Sequence, residues 1–393
     1  MTANIPHVDV DIYSRENLAD PYPAYRMIRD AGPVCRLGDT GYLAMGRHAD
    51  VKAALADWQS FSSGSGVAMN DPVNSVLSGT ILASDPPQHK LLREVAGRPL
   101  TPARLAALRD RVQREADQIV DRLVARGRFC AATELAQYLP LTVVSDLVGL
   151  PEEGRERMLA WGTATFEAFA PLSAGRLDEA LPITFEMVNY IADQGLVGRL
   201  DPDGWAAELH AAVAAGEIDR STFESLLQAY LAPSLDTTIF ATSNLVWLFG
   251  RNPEQWKKLR SQPGLISRAI NEALRIESPV SGFSRLATRD VDVDGVTIPE
   301  GSRVIMLFAS GNRDERRYED PDRFDIMRNS QDHLTFGHSL HRCLGMNLAL
   351  LELNSLLTAL LARVESFSIV SEKRADNPLL RGFGELQVEV RAA

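Results

Sequence analysis

The sequence has few cysteines, no long apolar run and no basic block, and each absence argues against a class of protein. The three cysteines, Cys35, Cys130 and Cys343, are too few and too widely spaced for a disulfide framework or a zinc cluster. No stretch reaches the ~20 apolar residues that span a bilayer, and residues 1–23 lack the apolar core of a secretory signal. The net charge of −11 argues against nucleic acid as a partner. We therefore expect a cytoplasmic protein with no membrane segment.

Helical patterns dominate the chain. Residues 101–127 begin with Thr-Pro and end at a glycine, and their apolar residues recur at helical spacing. Residues 221–250 predict the longest helix, about 45 Å long, because Ser221 and Glu224 have the spacing of a capping box. A further helix is predicted over residues 345–365.

Strand patterns are fewer and shorter. Residues 288–298 predict a hairpin around Asp294-Gly295, and residues 42–45 and 386–390 predict single strands. The expected fold class is therefore mainly α with a minor β-sheet region. A long central helix needs packing partners from both halves of the chain, so we expect a single domain over residues 1–393.

Cys343 differs from the other two cysteines in its surroundings. Polar and glycine residues precede it, and an apolar helical segment follows it immediately. Backbone N–H groups at a helix N-terminus lower the pKa of a thiol and favour thiolate, the form that binds a soft metal. The alternative is a buried cysteine that merely starts a helix, which is the commoner situation for an arbitrary cysteine.

Residues 336–345 resemble the haem-binding signature of the cytochrome P450 superfamily: Phe, two residues, Gly, three residues, Cys, one residue, Gly. Phe336, Cys343 and Gly345 match this signature, and Gly337 matches its bacterial form. The resemblance implies haem b (iron protoporphyrin IX) with Cys343 as the iron ligand, in the P450 fold, a triangular α-rich prism around a buried haem. Ser339 stands where the signature has glycine, so we expect it to adopt a tight turn at some conformational cost.

Other segments resemble further parts of the same pattern. Glu272 and Arg275 match the family's Glu-x-x-Arg pair, and Arg323 matches the downstream arginine of that structural network. The resemblance also implies that four side chains meet the haem propionates, namely His89, Arg93, Arg285 and His341. Each residue alone would pass for a surface charge, but together they fit one pattern.

Asp236 and Thr237 resemble the family's acid–alcohol pair and are our candidate catalytic residues. A carboxylate in an apolar helix is costly to bury without a role, and a threonine hydroxyl can bond to a carbonyl of the preceding turn or to a ligand. Such a pair relays protons towards bound dioxygen; the alternative is a polar pair that merely opens the helix. Pro233-Ser234 departs from the pattern, and we expect either a kink at Pro233 or a Ser234 side chain in the oxygen-binding space.

The substrate cavity is predicted from positions that line the pocket in relatives. These residues are Phe166, Phe169, Leu235, Val280 and Phe283. They predict a small, aromatic-lined cavity that suits a compact apolar or aromatic substrate. Alternatively, each of the phenylalanines is ordinary core.

The resemblance implies an external supply of electrons, from NAD(P)H through ferredoxin reductase and ferredoxin. A run of arginines predicts a basic face for an acidic ferredoxin. These are Arg93, Arg98, Arg104, Arg109, Arg111, Arg114 and Arg342. A solvated helix face with compensating acidic residues explains the later arginines equally well.

The combined reading is a haem-thiolate monooxygenase. We expect it to activate O2 and to hydroxylate or O-dealkylate a small, aromatic or otherwise compact apolar substrate. One alternative is a peroxygenase driven by hydrogen peroxide, against which Asp236-Thr237 argues. The other is a haem-thiolate binding or sensor protein without turnover, for which Pro233-Ser234 is the supporting feature.

Overall fold

The computed structural model describes residues 5–38 and 40–393, which contain sixteen α-helices and eleven β-strands. The helices are α1 (Arg15–Ala19), α2 (Tyr22–Ala31), α3 (His48–Ala56), α4 (Asp71–Leu77), α5 (Gln88–Gly97), α6 (Pro102–Arg126), α7 (Ser145–Val148), α8 (Glu152–Ala168), α9 (Leu177–Ala192), α10 (Trp205–Ala214), α11 (Arg220–Leu231), α12 (Asp236–Arg251), α13 (Pro253–Ser261), α14 (Ile266–Ile276), α15 (Phe308–Gly311) and α16 (Met346–Arg363). The strands are β1 (His7–Val8), β2 (Cys35–Leu37), β3 (Leu43–Met45), β4 (Phe61–Ser62), β5 (Arg128–Cys130), β6 (Phe283–Ala287), β7 (Val291–Val293), β8 (Val296–Ile298), β9 (Arg303–Met306), β10 (Val364–Arg374) and β11 (Phe383–Ala392). The mainly helical fold class is confirmed.

The strands form three sheets. The largest has the order β1-β2-β3-β9-β6-β4, so strands from the N-terminal part lie beside strands that follow α14. A second sheet has the order β10-β11-β5 and brings the C-terminal strands against the segment after α6. The third is the β7–β8 hairpin, where Asp294 has φ +51° and Gly295 has φ +79°. These positive angles confirm the hairpin predicted around Asp294-Gly295.

Two of the predicted helices are confirmed with their ends. Helix α6 follows Thr101, which has extended backbone angles, and ends before Gly127, which has φ +73°. Proline at the first helical position and a left-handed glycine after the last are common helix ends. Helix α16 starts at Met346, directly after the Cys343 segment, as the sequence predicts.

The prediction of one long helix over residues 221–250 is wrong, because the segment is divided into α11 and α12. The break at residues 232–235 contains Pro233, which has no N–H to donate to the carbonyl four residues earlier. Side-chain hydroxyls bond to carbonyls at the break: Ser234 Oγ donates to the Tyr230 carbonyl, and Thr237 Oγ1 donates to the Pro233 carbonyl at 2.9 Å. The break therefore replaces helical hydrogen bonds with side-chain ones.

The predicted capping box at the start of this segment is also wrong. Asp219 is the N-cap of α11, and its side chain accepts a hydrogen bond from the Thr222 N–H at 2.7 Å. The Ser221 hydroxyl instead donates to the Asp219 carboxylate at 2.8 Å. An aspartate two residues earlier thus takes the capping role.

Helix α12 passes through the centre of the protein and is buried along most of its length. Its first turns pack in one hydrophobic cluster with α8 and α11, and its later turns pack in a second cluster with α6, α14 and α16. In the part of the chain that is described, no helix combines the length and apolar character needed to cross a membrane. The start of α12 carries Asp236 and Thr237, and the segment before α16 carries Cys343.

Candidate active site

Cys343 lies in a short loop that leads directly into α16. Its backbone N–H donates to the Phe336 carbonyl at 2.7 Å, which closes the loop. The thiol is accessible, yet the surrounding protein is close enough that desolvation raises its pKa. The N–H groups of Gly345 and Met346 and the positive charge of Arg93 act in the opposite direction. The predicted helix-end effect is therefore present, but in the protein chain by itself burial outweighs it.

Ser339 has the backbone conformation that glycine adopts most easily. Its φ is +58°, in the left-handed region, and Gly337 has φ +69°. A left-handed residue with a Cβ costs about 1–2 kcal/mol relative to the ordinary conformation. The loop before Cys343 thus keeps the tight turn of the signature at a conformational cost, as the sequence predicts.

Four predicted propionate-binding side chains converge near this loop. The rings of His89 on α5 and His341 have centroids 4.2 Å apart, and the Nε2 atoms of both are buried with no hydrogen-bond partner among the described residues. Burial lowers the pKa of Arg285 on β6 to about 10. Burial, together with the charges of Arg285, His89 and Arg93, lowers the pKa of His341 to about 3. The charge of Asp85 acts on His89 and Arg285, but two guanidinium groups outnumber this one carboxylate.

Arg93 also links α5 to the thiol loop. Its Nη2 donates to the carbonyl of Arg342, the residue before Cys343, at 2.6 Å. Burial lowers the pKa of Arg93, and the Cys343 charge raises it. One guanidinium group therefore acts on both the cationic cluster and the thiol loop.

The residues present fit haem. Two buried imidazole nitrogens find no hydrogen-bond partner within residues 5–38 and 40–393, and two guanidinium groups have pKa values lowered by burial. Haem carries two propionates, which would supply both hydrogen-bond acceptors and compensating charge. The thiol of Cys343 is a soft ligand of the kind that holds haem iron. The donor set is therefore complete for a haem-thiolate site.

Asp236 is the first residue of α12 and is buried, with 4% of its surface exposed. Its Oδ2 accepts a hydrogen bond from Thr163 Oγ1 of α8 at 3.0 Å. Burial raises the pKa of Asp236 to about 7, and the Thr163 hydrogen bond opposes that rise. A carboxyl group with this pKa both takes up and releases protons near neutral pH.

Thr237, the predicted alcohol, lies beside the break between α11 and α12. Because its hydroxyl proton is directed to the Pro233 carbonyl, the oxygen lone pairs remain available to accept a hydrogen bond. Ser234 directs its hydroxyl to the Tyr230 carbonyl, so this group is engaged in closing the helix end. Of the two expected effects of Pro233-Ser234, the backbone distortion is observed.

The close approach of α8 to the helix break depends on Gly162. A Cβ at this position would lie 2.7 Å from the Ala232 carbonyl oxygen and 3.0 Å from Asp236 Oδ2. The absent side chain lets the neighbouring Thr163 reach Asp236. The sequence analysis missed Thr163, because no local pattern indicates a contact between residues 73 positions apart.

Glu272 and Arg275 form the predicted pair inside the protein. Both side chains are fully buried, and two N–H···O bonds of 2.8 Å join them. The assignment of Arg323 to this network needs correction: its side chain is 62% exposed and pairs with Asp320 and Asp325. Arg328 instead donates to Glu272 Oε1 at 3.1 Å, while Arg323 contributes only its carbonyl to the network.

The predicted substrate-binding residues come together in one hydrophobic cluster. Phe166 and Phe169 at the end of α8 have ring centroids 6.1 Å apart, and Phe169 lies 6.1 Å from Phe283 of β6. Leu235 and Val280 belong to the same buried cluster. Phe308, which the sequence analysis did not select, extends the aromatic row at 6.1 Å from Phe283.

The predicted basic face is smaller than the arginine count suggests. Arg98 pairs with Glu217 at 2.5 Å, Arg104 pairs with Glu208, and Arg111 pairs with Asp146 at 2.5 Å. Tertiary contacts therefore neutralise three of these arginines. In the part of the chain that is described, the other four form no ion pair, namely Arg93, Arg109, Arg114 and Arg342.

Comparison with known proteins identifies the family that this chain resembles. A family model described as Cytochrome P450 matches residues 248–387. The chain is 37% identical to cytochrome P450 CYP199A2 of Rhodopseudomonas palustris, over 100% of this chain and 96% of that protein. It is 33% identical to the cytochrome P450 monooxygenase PikC of Streptomyces venezuelae, with 99% and 96% covered.

Solved structures show the same fold. The structure of CYP109Q5 from Chondromyces apiculatus matches with a TM-score of 0.83 and 30% identity, over 98% of this chain and 99% of that chain. P450BioI in complex with an acyl carrier protein matches with a TM-score of 0.86 and 26% identity, over 96% and 99%. Because the similarity to CYP199A2 covers the chain from end to end, this chain belongs to the cytochrome P450 family and is a haem-binding monooxygenase.

Proposed function

We propose that this monooxygenase hydroxylates or O-dealkylates a small aromatic, or otherwise compact apolar, substrate. The observation that carries the proposal is the row of aromatic rings from Phe166 through Phe169 and Phe283 to Phe308, at centroid distances of 6.1 Å. Aromatic rings at this spacing present faces and edges on which a substrate ring packs favourably. The solved structure of P450 CREJ, which is 28% identical to this chain, is a complex with (4-ethylphenyl) dihydrogen phosphate, an aromatic ester, which supports an aromatic substrate.

The residues of this chain divide the work of such a reaction between them. Haem, when bound, supplies the iron at which dioxygen is activated. Cys343 would hold the iron as a thiolate, and His89, Arg93, Arg285 and His341 would hold the propionates. Asp236 Oδ2 holds a proton near neutral pH because burial raises its pKa to about 7. Thr237 Oγ1 would take up that proton at a lone pair and release its own hydroxyl proton in exchange, so the hydroxyl is restored.

The apolar lining orients the substrate and excludes water from the reacting centre. Leu235 is fully buried and Val280 is 8% exposed, so neither position offers a polar group to the substrate. A neutral ring is therefore favoured over a charged one, since an unpaired charge is costly to bury. We propose a neutral aromatic ether or phenol as the first class to examine.

A binding titration tests the substrate class. Compact aromatic ethers and phenols should shift the haem from low to high spin, and the variant Phe283→Ala should raise their Kd about tenfold or more. Phe185→Ala is the matched control, because Phe185 lies on α9 and is 46% exposed. Equal affinity in parent and Phe283→Ala, or a spin shift with long-chain lipids alone, would reject the proposal.

We also propose that electrons arrive from ferredoxin, reduced by ferredoxin reductase, at a face formed by α5, the start of α6 and the Cys343 loop. Gln113 on α6 bonds to Ser355 on α16, and Asp117 pairs with Arg363, so the two helices run side by side in the same direction. The start of α6 therefore lies near the start of α16 and the thiol. This face carries exposed cations with no ion pair in the described parts of the chain, which are Lys90, Arg109, Arg114 and Arg342, together with Leu91, which is 49% exposed.

Charge reversal tests this docking face. Lys90→Glu and Arg109→Glu should each raise the KM for ferredoxin about tenfold at low salt, with a smaller effect at high salt. The control is Lys257→Glu on α13, an exposed lysine outside this face. If all three variants behave alike, the electron donor docks elsewhere.

A further inference from the structure

A line of side chains runs from Asp236 outwards along α8. Thr163 donates its hydroxyl to Asp236 Oδ2 at 3.0 Å. Glu167 follows four residues later, and residues with this spacing share a helix face with Cβ atoms about 5–6 Å apart. Glu167 is half-buried, and its charge acts on Asp236.

The outer end of this line faces charged groups near the surface. Burial raises the pKa of Glu167, the charge of Arg176 lowers it, and the charges of Glu179 and Asp376 raise it. Arg176 donates to Asp376 Oδ1 at 2.5 Å, and the Asp376 side chain is 64% exposed. Glu167 therefore stands between solvent-accessible charges and the buried carboxyl of Asp236.

We propose that Glu167 and Thr163 deliver protons from solvent to Asp236, so that α8 supplies the outer half of the proton path. This inference rests on the role of Asp236 in the proposed function. Both residues act through Asp236 and are positioning residues. The i, i+4 spacing of Thr163 and Glu167 and the hydrogen bond from Thr163 to Asp236 support this path. Gly162 allows α8 to lie close enough to Asp236 for that hydrogen bond to form.

The transfer balances as a relay of one proton. Glu167 takes a proton from solvent and passes it through one bridging water to Oγ1 of Thr163. Thr163 gives its own hydroxyl proton to Oδ2 of ionised Asp236, and its hydroxyl is restored by the incoming proton. Glu167 is left ionised for the next cycle, and no electron is transferred.

Four variants of the holoenzyme test the path. Glu167→Gln and Thr163→Val remove one member each, and Thr163→Ser keeps the hydroxyl. Glu156→Gln is the control, an exposed glutamate on the same helix. Two quantities are measured from about pH 6 to about pH 9: the fraction of NADH electrons recovered in product, and the pKa of the Asp236 carboxyl by NMR of ¹³C-labelled aspartate.

We expect Glu167→Gln and Thr163→Val to lower the recovered fraction about tenfold, and Thr163→Ser and Glu156→Gln to retain it. Thr163→Val should also raise the pKa of Asp236, since the ionised form loses a hydrogen bond, and Glu167→Gln should lower it, since a like charge is removed. Recovery in Glu167→Gln equal to that in Glu156→Gln overturns the inference.

The two measurements separate this inference from the proposed function. The carboxyl pKa is read without turnover, so an Asp236 pKa unchanged in both variants overturns the path whatever the substrate proves to be. A parent enzyme that converts no compound of an aromatic panel overturns the substrate proposal alone.

Discussion

Arg328 donates from its Nε to Oε1 of Glu272 at 3.1 Å, deep inside the protein. The same carboxylate accepts two bonds from Arg275, and neither Glu272 nor Arg275 is exposed. Arg275 already balances the charge of Glu272, so Arg328 contributes a further charge-assisted hydrogen bond to a buried acceptor, and such a bond is costly to remove. Arg323, five residues earlier in the chain, does not share this burial.

Arg328→Ala should therefore destabilise the protein far more than Arg323→Ala. We expect a loss of about 1–3 kcal/mol for Arg328→Ala, and less than about 1 kcal/mol for the exposed Arg323. Denaturant unfolding of the two purified variants, with haem content recorded in parallel, measures the difference. Equal stabilities would mean that Arg323 and Arg328 exchange places in solution.

Ser339→Gly should stabilise the loop that carries Cys343. Glycine adopts φ +58° without the Cβ penalty that serine incurs there, so we expect a gain of about 1 kcal/mol. The apparent Tm of the holoprotein and the rate of haem loss to an acceptor protein both report this gain. Ser339→Ala is the control, since alanine keeps the Cβ; a gain in that variant would assign the effect to the lost hydroxyl instead.

Glu352 on α16 makes the stability of the protein depend on pH. Burial raises the pKa of this carboxyl from 4.5 to about 8, so the folded state keeps a proton that the unfolded state releases. Stability from this group is therefore present below the unfolded pKa and declines as pH rises towards 8, by about 1.4 kcal/mol per pH unit.

Glu352→Gln should remove that decline. The variant should have a higher apparent Tm than the parent at pH 8 and a smaller difference at pH 5, measured in the same buffers. Glu156→Gln, an exposed substitution on α8, should follow the parent at both values. If the apparent Tm of Glu352→Gln and that of the parent fall by the same amount between pH 5 and pH 8, Glu352 is not the source of the pH dependence.

Pro233→Ala should leave haem bound but change the coupling of NADH use to product. Alanine restores an N–H that can donate to the Ala229 carbonyl, which favours joining α11 to α12 and displaces the Thr237 hydroxyl from the Pro233 carbonyl. Product formed per NADH, compared at equal haem content, measures the effect. If product formed per NADH is the same in Pro233→Ala and the parent, the helix break has no role in the handling of oxygen.

Local sequence patterns predicted the elements whose causes are local. Helix α6 has its proline start and glycine end, and the β7–β8 hairpin has its Asp-Gly turn, because each signal involves residues a few positions apart. The same patterns failed over residues 221–250. There the periodicity of apolar residues continues through Pro233, while the lost N–H and the hydroxyl bonds of Ser234 and Thr237 divide the helix.

The structure differs from the predicted site in its long-range contacts. Two arginines lie within a few residues of each other, and the loop conformation alone decides that Arg328 reaches Glu272. Likewise, the contact of Thr163 with Asp236 depends on how closely α8 crosses α12. A local sequence pattern does not predict the distance between residues that lie so far apart in the chain.

The sequence by itself determined the helical class and the cysteine at the start of α16, because these follow from propensity and spacing within one segment. The left-handed turn at Ser339 was expected only from the resemblance to the haem-binding signature. Only the tertiary structure decided which distant groups complete the site. It gave Asp236 the hydroxyl of Thr163 and a raised pKa, because burial and hydrogen-bond distance arise from packing between segments.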